Sequence, residues 1–207
     1  MHENEKQKWN LRYKDAEFAF GKEPNVFFRE WILKLKPGRI LLPADGEGRN
    51  GVFAAELGWA VTSFDLSNEG KIKTLQLAKE RNVSIEYIVG DFSDLDFEPA
   101  AFDAVALIYA HFPANKKSEF HTKLKPYLKP GGIMIFEAFS KKHLAYRVSN
   151  PGVGGPTDID VLYDENEIIT DFSDFEILAL CEETISLDEG KYHVGQGSVI
   201  RFIGRKN

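Results

Sequence analysis

The chain has 207 residues, of which 43% are hydrophobic and 28% charged, with a net charge of −6. That length supports one domain with a substantial core, and the composition is that of an ordinary globular protein rather than a disordered one. The acidic balance, with no dense Lys/Arg stripe, argues against a polyphosphate partner, so no nucleic acid is expected.

In chain order, Trp9, Leu11, Tyr13, Phe18 and Phe20 stand among many charges and predict one or two short helices. Pro24-Asn25 opens a helix whose Val26, Phe28, Trp31, Ile32 and Leu35 share one face, and Pro37-Gly38 stops it. A strand is expected at 39–43, then a helix at 50–57 closed by Gly58, then a strand at 60–65. Ser67 caps a helix ending near Arg81. A strand at 84–89 runs into Gly90-Asp91, and 102–109 is a continuous apolar run of the kind buried on both faces. A helix at 116–128 is stopped by Lys129-Pro130-Gly131-Gly132, and 133–139 is another buried strand.

Beyond Ser140 the pattern breaks. Residues 141–160 are polar, with Pro151, Gly152, Gly154, Gly155 and Pro156 together, and read as a long functional loop. A short helix at 164–172 precedes two strands, 176–186 and 198–206, joined through Asp188-Glu189-Gly190 as an antiparallel hairpin. Strands alternating with helices predict an α/β fold with a mostly parallel sheet and helices on both faces. In such sheets ligands bind beyond the carboxyl ends of the strands. That rule gathers residues 43–48, Asp65, Gly90-Asp91, Tyr109-Ala110-His111 and Glu137 along one edge.

Residues 39–65 are the most informative. An apolar run ends in Ala44-Asp45-Gly46-Glu47-Gly48, a helix follows, and a second apolar run ends in Asp65. Glycines leave backbone free to touch a ligand, and Asp65 falls 19 positions after Gly46 (65 − 46). A ribose-binding carboxylate is expected roughly 20 positions on. The first expectation is therefore an adenosine-containing cofactor.

With these motifs in order, the chain resembles the class I S-adenosylmethionine-dependent methyltransferases, and within them the tellurite-resistance and thiopurine methyltransferases. The finer likeness rests on Trp9…Arg12-Tyr13, Phe20-Gly21-Lys22-Glu23-Pro24-Asn25, Gly46-Glu47-Gly48-Arg49-Asn50, Gly154-Gly155-Pro156 and His193…Gly195. The resemblance implies a Rossmann-like seven-stranded sheet, mostly parallel with a C-terminal antiparallel hairpin, in one domain over 1–207. It implies an N-terminal helical cap at 1–36 and a substrate-site loop at 141–163. S-adenosyl-L-methionine would be held by Ala44, Asp45, Gly46, Glu47, Gly48, Asn50, Asp65, Leu66, Ser67, Asp91, Phe92 and Tyr13. Tyr109 and His111 would stand at the reacting centre, His111 with an unshifted pKa near ~6.5 suited to proton transfer. Leu42 departs from the pattern, standing where most relatives carry an acid near the cofactor's amino end. Ala44 departs too, replacing the first glycine.

The expected reaction is methyl transfer to a small, soft or anionic acceptor such as a thiol or metalloid oxyanion. Two alternatives stay open. Gly46-Glu47-Gly48-Arg49-Asn50-Gly51 also matches the dinucleotide fingerprint of an NAD(P)-dependent oxidoreductase, and Leu42 and Ala44 suit a non-catalytic cofactor-binding domain. No His/Cys/Asp cluster has metal-ligand spacing, so no metal is expected. No apolar run approaches the ~20 residues that span a bilayer, and the first residues lack the apolar centre of a signal peptide. A single cysteine, Cys181, suits a reducing cytoplasm.

Overall fold

The computed structural model describes residues 2–207. Seven helices and seven strands are assigned in the order α1 His2–Tyr13, α2 Val26–Ile32, β1 Arg39–Pro43, α3 Arg49–Glu56, β2 Ala60–Asp65, α4 Asn68–Glu80, β3 Glu86–Val89, β4 Phe102–Ile108, α5 Lys117–Leu124, β5 Leu128–Phe139, α6 His143–Ser149, α7 Glu165–Asp171, β6 Phe175–Glu189 and β7 His193–Lys206. The strands form one sheet in the order β3-β2-β1-β4-β5-β7-β6. β1 to β5 run parallel, whereas β7 is antiparallel to both β5 and β6. This is the expected seven-stranded, Rossmann-like α/β architecture.

Period-two alternation splits each central strand between two cores. Leu41, Val105, Leu107, Met134, Phe136 and Phe202 face one side, where Phe120 and Leu124 of α5 and Ile168 of α7 cover them. Ile40, Leu42, Ala104, Ala106, Ile135 and Ile203 face the other, under Phe27, Phe28 and Ile32 of α2 and Ala54 of α3. Because helices cover both faces, the strands read as unbroken apolar runs.

The last third differs from expectation in three places. The β6–β7 hairpin is far longer than predicted, with registered pairs from Phe175↔Lys206 to Glu189↔His193. Its polar, half-buried alternation hid the length. The Lys129-Pro130-Gly131-Gly132 stop lies within β5, where the register against β4 jumps from Phe102↔Leu128 to Ala104↔Ile133. Residues 141–160 are no open loop, since α6 and two 3-10 turns occupy most of the segment. Val153 and Leu162 anchor it in a small core with Phe139, Leu187 and Val199.

One charge lies deep in the sheet. Glu137 of β5 is 0% exposed. Its carboxylate accepts from Arg201 Nε of β7 at 2.5 Å and from Asn25 Nδ2 at 2.6 Å. Burial pushes the Glu137 carboxyl up, and Arg201 and Asn25 oppose it. A buried carboxylate left without its cation costs about 3–5 kcal/mol. Arg201→Met is therefore expected to lower unfolding free energy in urea by about that amount, and Glu137→Gln added to it to restore a large part. A loss below about 1 kcal/mol for Arg201→Met would contradict this account of the pair.

Candidate cofactor and acceptor site

β1 ends at Pro43, and the chain turns through Ala44, φ 53°, and Gly46, φ 57°, into Gly48, φ 79°, the N-cap of α3. Positive φ is free for glycine but strains alanine, so Ala44 holds the turn against its own preference. A Cβ on Gly46 would lie 2.6 Å from the Tyr13 hydroxyl, and one on Gly48 would collide with Thr74. Gly70 at the start of α4 is equally confined, its Cβ position being 2.6 Å from the Gly46 carbonyl oxygen. That carbonyl accepts from the Tyr87 hydroxyl at 2.5 Å and from Thr74 Oγ1 at 3.3 Å.

Asp65 closes the cradle from the tip of β2. Its Oδ2 accepts from Gly46 N at 3.1 Å and its Oδ1 from Ser67 N at 2.9 Å. Burial pushes its carboxyl up to about 6, against the pull of those amides. Ser67 caps α4 through Gly70 N at 3.0 Å and donates to Asn10 Oδ1 at 2.7 Å, which ties α1 to the cradle. Tyr13, 4% exposed, comes from the same helix and stacks on Trp9 with ring centroids 5.5 Å apart. A cavity of about 190 Å³ opens beside the cradle, lined by Glu3, Lys6, Leu66, Val89, Gly90 and Asp91.

Of the expected cofactor residues, Ala44, Gly46, Gly48, Asp65, Leu66, Ser67, Asp91 and Tyr13 meet at this edge. Asp91 also caps the 3-10 turn after β3, its Oδ1 accepting from Ser93 N at 2.7 Å. Four others point their side chains elsewhere. The Asp45 carboxylate turns inward to Ser63 Oγ, 2.8 Å away, and burial pushes it up to about 7. Glu47 is buried on Lys73 Nζ at 2.7 Å and accepts from Ala19 N at 2.8 Å, clamping the N-terminal segment. Asn50 Oδ1 accepts from Asn25 N at 2.9 Å. Phe92 sits in the core, stacked on Phe64 at 5.3 Å and edge-on to Phe120 at 5.1 Å.

Past β4, Tyr109 adopts φ 52°, a strained conformation for a bulky residue, and its N–H donates to the Glu137 carbonyl at 2.7 Å. Its ring packs on Phe139 at 4.7 Å and on His193 at 4.8 Å, and its buried hydroxyl has no partner among the described residues. His111 donates from Nδ1 to the Tyr109 carbonyl at 2.9 Å, leaving Nε2 as an unpartnered, buried lone pair. Burial pushes its pKa down to about 3, so the value expected for a free imidazole does not hold. At neutral pH the ring is a neutral hydrogen-bond acceptor and a weak base.

Sequence reasoning missed the groups around this pair. Glu189 accepts from Arg49 Nη2 at 3.1 Å and from His193 Nδ1 at 2.8 Å, and Asn25 Nδ2 lies 3.3 Å from its other oxygen. The usable signal was Asn25 directly after Pro24, together with the lone carboxylate Glu137 inside an apolar strand. Nothing local marked Glu189 or Arg49. Among the described residues no His/Cys/Asp/Glu group of three is placed to hold a metal, and no helix is long and apolar enough to cross a membrane.

The fold and the cradle resemble those of class I methyltransferases. The chain matches the family described as "Methyltransferase domain" over residues 40–132, from β1 into β5. It is 30% identical over 105 residues to a demethylmenaquinone methyltransferase of Renibacterium salmoninarum, an overlap of 50% of this chain and 43% of that one. The chain thus spans under half the length of that curated relative. Among solved structures, TehB from Haemophilus influenzae superposes with a TM-score of 0.71 at 16% identity, covering 98% of this chain and 67% of that one. A second, from work on conversion of a disulfide bond into a thioacetal group in echinomycin biosynthesis, superposes with a TM-score of 0.73 at 18% identity, covering 98% and 92%. Over β1 to β5 the chain thus resembles the class I S-adenosylmethionine-dependent methyltransferases, and the superpositions extend that likeness of fold to the whole sheet.

The cofactor of that family is S-adenosylmethionine, and the cradle suits its adenosyl half. Two glycines leave backbone bare, and a buried carboxylate stands at the tip of β2. Ribose hydroxyls donate to an ionised carboxylate, whereas the neutral acid competes as a donor. Because the folded-state pKa of Asp65 lies above the ordinary aspartate range, the proton favours the fold. That stabilisation is complete at low pH and is lost as pH rises toward about 6. Cofactor binding runs the other way. The affinity for S-adenosylhomocysteine, measured by titration calorimetry, is expected to weaken as pH falls through about 6, approaching tenfold per pH unit. Asp65→Asn should remove that slope, and a flat wild-type profile would refute the assignment.

Proposed function

We propose that this protein transfers the methyl group of S-adenosylmethionine to a small, soft or anionic acceptor, a thiol or metalloid oxyanion, in the cytoplasm. The observation that carries the reading is the Gly46–Asp65 cradle at the tips of β1 and β2, with the aromatic cluster of Tyr109, Phe139 and His193 past the neighbouring strand β4. The cofactor supplies an electrophilic methyl on a sulfonium. The task left to the chain is to align that carbon with a nucleophile and exclude water, which is worth up to about 7–11 kcal/mol in ideal geometry. Gly46 and Asp65 would fix the adenosyl end, with Asp45, Glu47 and Asn50 shaping the turn rather than touching the ligand. Leu66 and Asp91 would border adenine in the small cavity. Tyr109, Phe139, His111 and Tyr163 would wall the acceptor. A soft anion needs no strong base, which agrees with the depressed basicity of His111. The neighbour whose reported reaction turns a disulfide into a thioacetal works at sulfur, in keeping with this acceptor class.

Within a single domain over 1–207, residues 1–36 act as a cap and 141–163 border the acceptor. A cavity of about 190 Å³ is small beside the roughly 300–1,000 Å³ of ligand sites, and Tyr13 lies over Gly46. Cofactor entry in this reading displaces α1. Leu42, 2% exposed and packed in the core, favours a second reading in which the domain binds the cofactor without transfer. The oxidoreductase alternative loses support because β7 lies antiparallel between β5 and β6, unlike the dinucleotide-binding strand order.

The test is calorimetric titration with S-adenosylmethionine and S-adenosylhomocysteine, followed by mass-shift assays on thiols and oxyanions. Asp65→Ala is expected to weaken binding about 10–100-fold, the worth of hydrogen bonds to a charged group. No heat at millimolar ligand would sink the reading. Binding without transfer to any acceptor would favour the non-catalytic one.

A further inference from the structure

His193 sits at the tip of the β6–β7 hairpin, opposite Glu189, against the aromatic cluster that follows β4. Its ring is 5% exposed and packs on Tyr109 at 4.8 Å, Phe139 at 5.2 Å and Phe20 at 4.6 Å. Nδ1 is 2.8 Å from Glu189 Oε2, and since a carboxylate only accepts, Nδ1 carries the proton. Nε2 is then a bare lone pair, and among the described residues no side chain or backbone group occupies it. Glu189 is itself held by Arg49 Nη2 at 3.1 Å and Asn25 Nδ2 at 3.3 Å, so the imidazole is fixed in tautomer and orientation. This is the arrangement by which a carboxylate aims a histidine as a general base.

We propose that His193 Nε2 takes the proton from a protonated acceptor, and that Glu189 is its positioning residue. The inference rests on the methyl-transfer reading and widens its acceptors to neutral thiols. The acceptor's lone pair forms the new S–C bond while the sulfonium C–S bond breaks, its electron pair staying on the cofactor's sulfur. The S–H proton passes to Nε2, and the imidazolium, stabilised by Glu189, releases it to water.

Although burial pushes the Glu189 carboxyl up, Arg49 and His193 outweigh it and hold it down at about 2, so it remains anionic. Burial lowers the His193 pKa, Glu189 raises it, and Arg49 and Arg12 lower it further. His111 and His143 also interact with it electrostatically, and Tyr109 faces it edge-on. The ring is therefore neutral and ready to accept at physiological pH. Among the described residues His111 lacks such a carboxylate partner, since its Nδ1 donates to the Tyr109 carbonyl at 2.9 Å.

The experiment compares two thiols with wild type, His193→Gln and Glu189→Gln. 2-Mercaptoethanol is protonated at neutral pH and needs a base, whereas 2-nitro-5-thiobenzoate is already a thiolate and does not. His193→Gln is expected to lower kcat about 100-fold or more for the first and little for the second, with S-adenosylhomocysteine affinity unchanged. Glu189→Gln should lower kcat for the first about tenfold and shift the acid limb of its pH profile. Nitrogen-15 NMR of the free protein supplies a readout independent of turnover, expected to show the Nδ1–H tautomer in wild type and its loss in Glu189→Gln. Equal losses on both thiols, no loss on either, or an Nε2–H tautomer would overturn the dyad. Failure of wild type to methylate either thiol would overturn the thiol reading instead, and the tautomer then decides the dyad alone.

Discussion

The burial of the Glu137 carboxylate is the constraint around which the functional end of this molecule is arranged. A charge placed in the middle of a sheet is tolerable only with a cation and further hydrogen-bond donors beside it. Here the cation comes from β7, the last strand, and the amide from Asn25, before the first strand. The same Asn25 caps α2 through Phe28 N at 2.9 Å, donates from its amide to Glu189 Oε1 and from its backbone N–H to Asn50 Oδ1. One asparagine thus fixes the N-terminal segment, the start of α3, the tip of β5 and the tip of the hairpin relative to each other. These are the four pieces that enclose the site.

The glycine turn and Tyr109 occupy left-handed backbone on neighbouring strands, β1 and β4. Such conformations persist only where surrounding contacts over-determine them. For Ala44 those contacts are the Gly46–Asp65 and Gly46–Tyr87 hydrogen bonds on either side of the turn. For Tyr109 they are its backbone bond to Glu137 and rings on two sides. The two strained points flank the proposed meeting place of cofactor and acceptor, so the geometry there is held by the fold and not by its own preferences.

Most of the scaffold was legible because its signals are local. Apolar runs bounded by glycine and proline placed β1, β2 and β4 nearly to the residue, and Ser67 announced α4. The Gly46-to-Asp65 spacing was enough to mark the cradle. What stayed hidden depends on contacts between distant segments. Glu47 and Asn50 share a motif with Gly46, but partners 25 to 28 residues upstream decide that they clamp the chain. His111 sits in an ordinary loop sequence, and only its burial in the folded chain, beside Phe139 and Tyr163, depresses its basicity. His193 reads as a polar hairpin residue until Glu189, four positions earlier, is seen to face it across the strand pair.

The two ends of the chain close on each other over the site, which couples its halves. Gly190 at the hairpin turn lies against Ala19 and Gly21, and Lys191 N donates to the Ala19 carbonyl at 2.9 Å. Lys191 Nζ pairs with Glu17 at 2.7 Å, and the Arg12 guanidinium lies 3.8 Å from the Tyr192 ring centroid. Arg12 and Tyr13 are adjacent on α1, so a displacement of the helix that clears Gly46 also withdraws Arg12 from the hairpin. Exposed pairs of this kind are worth only about 0–1 kcal/mol each, so the chief restraints on such a movement are the buried Tyr13 and the Asn10–Ser67 hydrogen bond. Glu189 and His193 remain anchored through Arg49 and Asn25, both outside α1. The Glu189–His193 pair therefore does not depend on α1 for its place.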